Sequence, residues 1–205
     1  MKFGVFIYEG VEPIDLATFG VLSMARRIQP DIEITTLAPS AGPVKLSNGL
    51  VVLAEHALAV APPLDVLVVT GGPGWVAESK RAETLDLLRR RAADTLLVSV
   101  CTGAMILGAS GVLDGRRATT KRRVVPPEEP PIRLLAERHR RIDVREASLV
   151  DEDRLVTGGG VALCIDAMLH LLKRLYGEHT AAEIARVLEY DRAWAANLQQ
   201  FPPLA

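Results

Sequence analysis

A chain of 205 residues with 24 Lys+Arg against 25 Asp+Glu can bury one sizeable α/β core, and its net charge of −1 sets up no global field for nucleic acid or a membrane surface. Its two cysteines lie in apolar segments, which excludes a disulfide framework. No apolar run approaches the about 20 residues a membrane span needs, and the start MKFGVFIYEG lacks a signal-peptide pattern, so a soluble, cytoplasmic, single-domain protein over 1–205 is expected.

In chain order, residues 2–8 (KFGVFIY) read as a strand and 9–13 (EGVEP) as a loop leading to a helix over 15–28. Asp15 opens that helix, where an N-cap or first-turn acid is stabilising. Residues 32–37 read as a second strand, and 44–54 as a hairpin about Ser47-Asn48-Gly49 that decorates the sheet edge. The run 64–70 (LDVLVVT) is apolar as a parallel strand covered on both faces is, and it leads straight into Gly71-Gly72-Pro73-Gly74. An amphipathic helix over 81–93 presents Arg89-Arg90-Arg91 to solvent.

Residues 96–100 repeat the buried-strand pattern, and Met105, Ile106 and Ala109 follow at helical spacing. After a turn at 112–115, the string RRATTKRR and the proline-dense 124–131 (VVPPEEPP) exclude regular structure until a helix near 132. That stretch suits a lid, a spacer or a dimer contact, and the sequence does not choose. Strands are expected over 143–149 and 154–157, an apolar helix over 161–176, a last helix over 180–190, and an irregular tail through Phe201. Gly158-Gly159-Gly160 has no P-loop lysine or serine after it and reads as close packing, with Cys164 as a structural cysteine.

The chemistry concentrates at Cys101. A strand that turns into a helix at one cysteine, flanked by the small Thr102, Gly103 and Ala104, is a nucleophile elbow built on sulfur. A thiol there faces unpaired helix N–H groups, which favour thiolate, and the Thr102 N–H supplies half of an oxyanion site. Ligands bind outside the carboxyl ends of parallel strands, so the loops after Tyr8, Thr70 and Val100 converge, and the Gly72 N–H is the candidate second donor. His56, His139, His170 and His179 fall in edge, surface or core segments and read as structural.

Residues 11–17 (VEPIDLA), 65–74 (DVLVVTGGPG), 99–120 (SVCTGAMILGASGVLDGRRATT) and 156–166 (VTGGGVALCID) together resemble the ThiJ/PfpI superfamily of class-I glutamine-amidotransferase-like domains. Within it the chain is most similar to the isonitrile hydratases and to ligand-binding domains of AraC-type regulators. The resemblance implies a flavodoxin-like three-layer α/β sandwich with a mostly parallel sheet, commonly a homodimer, acting on a small molecule without metal or organic cofactor. It makes Cys101 the nucleophile and Asp15 the general acid/base, with Glu12 as the reserve acid and Gly72 and Thr102 as backbone donors. Isonitrile hydration is the leading expectation; glyoxalase- or deglycase-like chemistry on reactive carbonyls and ligand or redox sensing are the alternatives. The sequence departs from the pattern in two places. Lys121-Arg122 stands where His-Trp is usual, which alters the pocket rim, and TFGVL at 18–22 suggests a shifted first helix with Asp15 displaced. Thr102 stands where the protease branch has histidine.

Overall fold

The computed structural model describes residues 1–205. In chain order the elements are β1 (Lys2–Phe6), a 3₁₀ turn (Pro13–Leu16), α1 (Ala17–Ala25), β2 (Glu33–Ala38), β3 (Gly42–Lys45), β4 (Val51–Ala54), β5 (His56–Ala57), β6 (Val66–Val69), α2 (Trp75–Glu78) and α3 (Ala82–Arg91). They continue with β7 (Leu96–Ser99), α4 (Gly103–Ser110), β8 (Arg117–Ala118), α5 (Pro131–Arg138), β9 (Asp143–Val144), β10 (Leu149–Asp151), β11 (Leu155–Gly158), α6 (Leu163–Tyr176), α7 (Glu178–Val187) and α8 (Asp191–Gln200).

Seven strands form one sheet in the order β10-β11-β7-β6-β1-β2-β5, parallel except for β10. The run Val66–Val69 is wholly buried because helices cover both faces of the central strands, and such a strand has no reason to alternate polar and apolar residues. Helices α1, α6 and α7 pack together in one layer, and α3, α4 and α5 in the other, giving the three-layer α/β sandwich expected. All the parallel strands therefore point their carboxyl ends the same way, and the loops after β1, β6, β7 and β11 meet there.

Several elements differ from the sequence reading. The first helix begins later, because Pro13-Ile14-Asp15-Leu16 closes as a 3₁₀ turn before α1. The hairpin about Asn48-Gly49 is a separate two-stranded sheet, and β5 takes the edge beside β2. The hairpin instead braces the first loop: the Gly10 N–H donates to the Lys45 carbonyl at 3.0 Å and the Ser47 N–H to the Val11 carbonyl at 2.8 Å. The expected strand over 143–149 splits, its start pairing with Arg117–Ala118 and its end beginning the antiparallel β10–β11 pair. The tail is not irregular at its start, since residues 191–200 form α8. That helix is held from afar: buried Asp166 on α6 accepts from the Asn197 side-chain amide at 3.0 Å and from the Tyr190 hydroxyl at 2.9 Å.

Candidate active site

Cys101 occupies the turn between β7 and α4 with φ at +51°, the left-handed region that a non-glycine residue adopts at a cost of about 1–3 kcal/mol. Two hydrogen bonds hold it there. Its N–H donates to the Gly159 carbonyl at 3.0 Å, and its carbonyl accepts from the Thr120 hydroxyl at 2.6 Å. The nucleophile-elbow geometry is thus clamped from the triple-glycine loop on one side and from the string ATT on the other.

The Gly-Gly loop lies hard against this turn. A Cβ on Gly71 would stand 2.4 Å from the Thr102 nitrogen, and one on Gly72 would stand 2.2 Å from the Glu12 nitrogen. Gly72 also has φ at +148°, so only glycine lets the first loop, the diglycine loop and the cysteine turn come together.

Asp15 is fully buried in the 3₁₀ turn, so the later start of α1 has not displaced it from the site. It caps no helix with its carboxyl. Oδ2 accepts the Gly71 N–H at 2.7 Å, while Oδ1 is buried without any hydrogen-bond partner. Burial, with a contribution from the Glu12 charge, pushes the Asp15 carboxyl up from 3.8 to about 7; the Gly71 N–H, the Cys101 thiol and Lys121 oppose that rise.

Cys101 is only 2 % exposed, and burial followed by the Asp15 charge pushes its thiol up from 9.0 to about 12. Burial thus opposes the preference for thiolate that the helix N-terminus sets up. The Thr102 N–H and Lys121 do favour the anion, but desolvation and a neighbouring carboxylate outweigh a short helix's terminus. Both groups are thus pushed toward their neutral forms, and of the two the carboxyl is the one that ionises first as pH rises.

The two oxyanion candidates separate. The Thr102 N–H is taken by no main-chain carbonyl and acts on the Cys101 sulfur. The Gly72 N–H, in contrast, donates to the Thr102 hydroxyl at 2.8 Å, and that hydroxyl donates back to the Gly72 carbonyl at 3.2 Å. As placed, Gly72 is committed to holding the loops together and is not a free donor. Glu12 is half-buried on the cavity wall, near enough to raise Asp15 electrostatically.

Sequence reasoning gave no role to Tyr8, whereas it read Cys164 as structural and Lys121 as part of the pocket rim. Tyr8, at the end of the first strand segment, is buried beneath the site with its hydroxyl donating to the Thr70 carbonyl at 3.0 Å. Burial, then Asp15 and Cys101, raise its pKa and keep it neutral. Cys164 is buried with its thiol 3.7 Å from the Ile14 carbonyl and is raised by burial and by the same Asp15–Cys101 pair. Cys101 and Thr102 open onto a cavity of about 680 Å³ whose sides come from Trp75, Lys121, Val124, Leu134 and Val161 among others. None of the four histidines lines it, and no group of three or more His, Cys, Asp and Glu side chains is arranged to hold a metal ion.

A sequence profile of the DJ-1/PfpI family matches residues 1–174. The chain belongs to the DJ-1/PfpI family. Among relatives, it is 32 % identical over 195 residues to an isonitrile hydratase of Pseudomonas putida, covering 94 % of this chain and 80 % of that protein. It is 31 % identical over 170 residues to the HTH-type transcriptional regulator CdhR of Pseudomonas aeruginosa, covering 80 % of this chain and 47 % of the regulator. A ThiJ/PfpI family protein from Pseudomonas syringae superposes with a TM-score of 0.80 at 25 % identity, over 98 % of this chain and 87 % of that one. This DJ-1/PfpI chain is therefore similar in sequence both to a named enzyme and to part of a transcriptional regulator.

Proposed function

We propose that this chain hydrates isonitriles to N-substituted formamides, with Cys101 as nucleophile and Asp15 as the proton carrier. The observation that carries the reading is the buried Asp15 carboxyl, one oxygen fixed by the Gly71 N–H and the other met by no N–H or hydroxyl donor, so that the Cys101 thiol is the group left to hydrogen-bond it. An incompletely satisfied buried carboxyl is costly, and proton transfer to a neighbouring thiol is a use that would retain it.

The steps balance as follows. The Asp15 carboxylate takes the thiol proton as sulfur bonds to the terminal carbon of the isonitrile, and the protonated carboxyl returns that proton to the same carbon. A thioimidate results, with carbon joined to sulfur, hydrogen and nitrogen. Asp15 then removes a proton from water as the water oxygen adds to that carbon, and passes that same proton to nitrogen. Collapse of the adduct breaks the carbon–sulfur bond, releases the formamide and returns a proton to sulfur. The Thr102 N–H supports negative charge at sulfur as it departs.

A thiol whose pKa is raised oxidises slowly, because thiolate is the form that oxidants attack, so the same geometry favours proton-coupled addition over redox sensing. We place the working unit as a cytoplasmic homodimer acting on a small molecule with no resident cofactor; sedimentation tests the assembly. The functional test is incubation with an aromatic isonitrile and, separately, with methylglyoxal, following formamide and lactate. Formamide from the wild-type chain, lost in Cys101→Ala and Asp15→Asn, is the expected result. Lactate without formamide, or formamide formation surviving in Cys101→Ala, overturns the proposal.

A further inference from the structure

We propose that Tyr8 is a positioning residue for this site: its hydroxyl holds the peptide between Thr70 and Gly71 from the carbonyl side, and through that one peptide it sets how firmly the Gly71 N–H grips the Asp15 carboxyl. This rests on the reading of Asp15 as the proton carrier.

Tyr8 lies just past the carboxyl end of β1 and is only 1 % exposed. Packing at that depth needs a ring and no oxygen, as the buried Phe3 and Phe6 of the same segment show. A phenol placed there requires an acceptor. It finds the Thr70 carbonyl at 3.0 Å, which no main-chain N–H reaches. The other end of that same peptide unit is the Gly71 N–H, which donates to Asp15 Oδ2 at 2.7 Å. A planar trans peptide points its C=O and its N–H in opposite directions, so Tyr8 and Asp15 grip one flat unit from its two sides. The unit has little other freedom: the Thr70 hydroxyl donates to the Phe6 carbonyl at 2.7 Å, and a Cβ on Gly103 would stand 3.0 Å from the Thr70 carbonyl oxygen.

Hydrogen bonds in series strengthen one another by about 10–30 % per bond, because an O–H at the carbonyl draws electrons from nitrogen and makes the N–H a better donor. The Gly71 bond favours the ionised carboxyl and opposes the rise that burial forces on Asp15. Tyr8 therefore eases release of the Asp15 proton. Its own hydroxyl stays neutral, held so first by burial and then by Asp15, Cys101 and Glu78. The other ionisable groups facing Asp15 are Glu12, Cys101, Cys164 and Lys121, and none of their side chains donates to or accepts from the peptide between Thr70 and Gly71. The phenol is thus the one side chain that reaches Asp15 through this peptide.

The test is an infrared difference titration of the Asp15 carboxyl in the Tyr8→Phe chain, with Asp15→Asn as the blank. The phenyl ring keeps the packing and deletes the donor, so the midpoint of the Asp15 band should rise by about half a pH unit above its wild-type value. Placing 3-fluorotyrosine at position 8 supplies a more acidic phenol and a stronger donor, and should lower the midpoint. Tyr190→Phe, the same chemical change at the Asp166 cluster, should leave it in place. Thermal melting checks that each chain is folded during the titration, and the fluorinated chain carries the test where Tyr8→Phe does not fold. A midpoint that fails to rise in Tyr8→Phe, fails to fall with 3-fluorotyrosine, or moves equally in Tyr190→Phe overturns the inference. The two readings fail separately. An unmoved midpoint in a chain that makes formamide sinks the role of Tyr8 and keeps the hydratase, whereas a shifted midpoint without any wild-type formamide production sinks the hydratase and keeps the role of Tyr8.

Discussion

Two buried aspartates divide this molecule between chemistry and architecture. Asp166 on α6 is met by the Tyr190 hydroxyl and by the Asn197 amide, so its oxygens are satisfied and the side chain pins α8 to the body of the fold. Asp15 receives one N–H and leaves its second oxygen bare beside Cys101. Both carboxyls are raised chiefly by burial, yet only one has unused hydrogen-bonding capacity next to a nucleophile. The contrast teaches that burial alone does not distinguish the two carboxyls; what sets Asp15 apart is incomplete satisfaction next to a thiol.

Breaking the first carboxyl gives the largest effect. Asp15→Asn should lower isonitrile turnover about 10²–10⁴-fold in a formamide assay, because the amide accepts the Gly71 N–H but carries no proton between sulfur and carbon. Asp166→Asn should change turnover by less than about threefold. Closing the space that lets Asp15 and Cys101 meet comes next: Gly72→Ala drives a methyl to 2.2 Å from the Glu12 nitrogen at a positive φ, and denaturant unfolding should show a loss on the order of 3 kcal/mol or more.

The same carboxyl makes a stability prediction of opposite sign. Folded Asp15 holds its proton up to about pH 7, whereas in the unfolded chain it releases it near 3.8, so this contribution to stability is full in acid and lost as pH rises toward 7. At about 1.4 kcal/mol for each tenfold change in proton affinity, Asp15→Asn should stabilise the chain at about pH 8 by on the order of 2 to 4 kcal/mol. A chain that gains stability while losing turnover is the signature of a group kept for chemistry. Removing the second carboxyl with Asp166→Ala should instead cost about 1–3 kcal/mol, since Tyr190 and Asn197 lose their acceptor. Tyr190→Phe, which deletes one of those bonds, should cost about 0.5–1.5 kcal/mol by thermal or urea unfolding.

The fold was legible wherever hydrophobic pattern and small residues agree. The runs at 66–69 and 96–99 announce doubly covered parallel strands, and each ends in residues small enough to let loops converge, so the elbow and the diglycine could be placed together from the sequence. What could not be read depends on partners far along the chain. The Asp15 proton affinity is decided by burial and by Gly71, and the Gly72 N–H is claimed by Thr102. Helix α8 has no buried residue of its own and forms on a carboxylate thirty-one positions from Asn197. The proline-dense stretch gave no periodic signal because prolines exclude a ladder there, and its course is fixed by Thr120 and Ile132 at its ends.

The central claim is that Asp15, and not a preformed thiolate, holds the charge of the resting pair. Infrared difference spectroscopy of wild-type against Asp15→Asn protein, titrated from about pH 4 to about pH 9, reads it directly through the carbonyl stretch of a protonated carboxyl. The account predicts a band that persists well above the ordinary carboxylate range and disappears near pH 7, with no thiolate absorbance accompanying its loss. A carboxyl already ionised at about pH 5, or thiolate absorbance appearing below about pH 8, would contradict it.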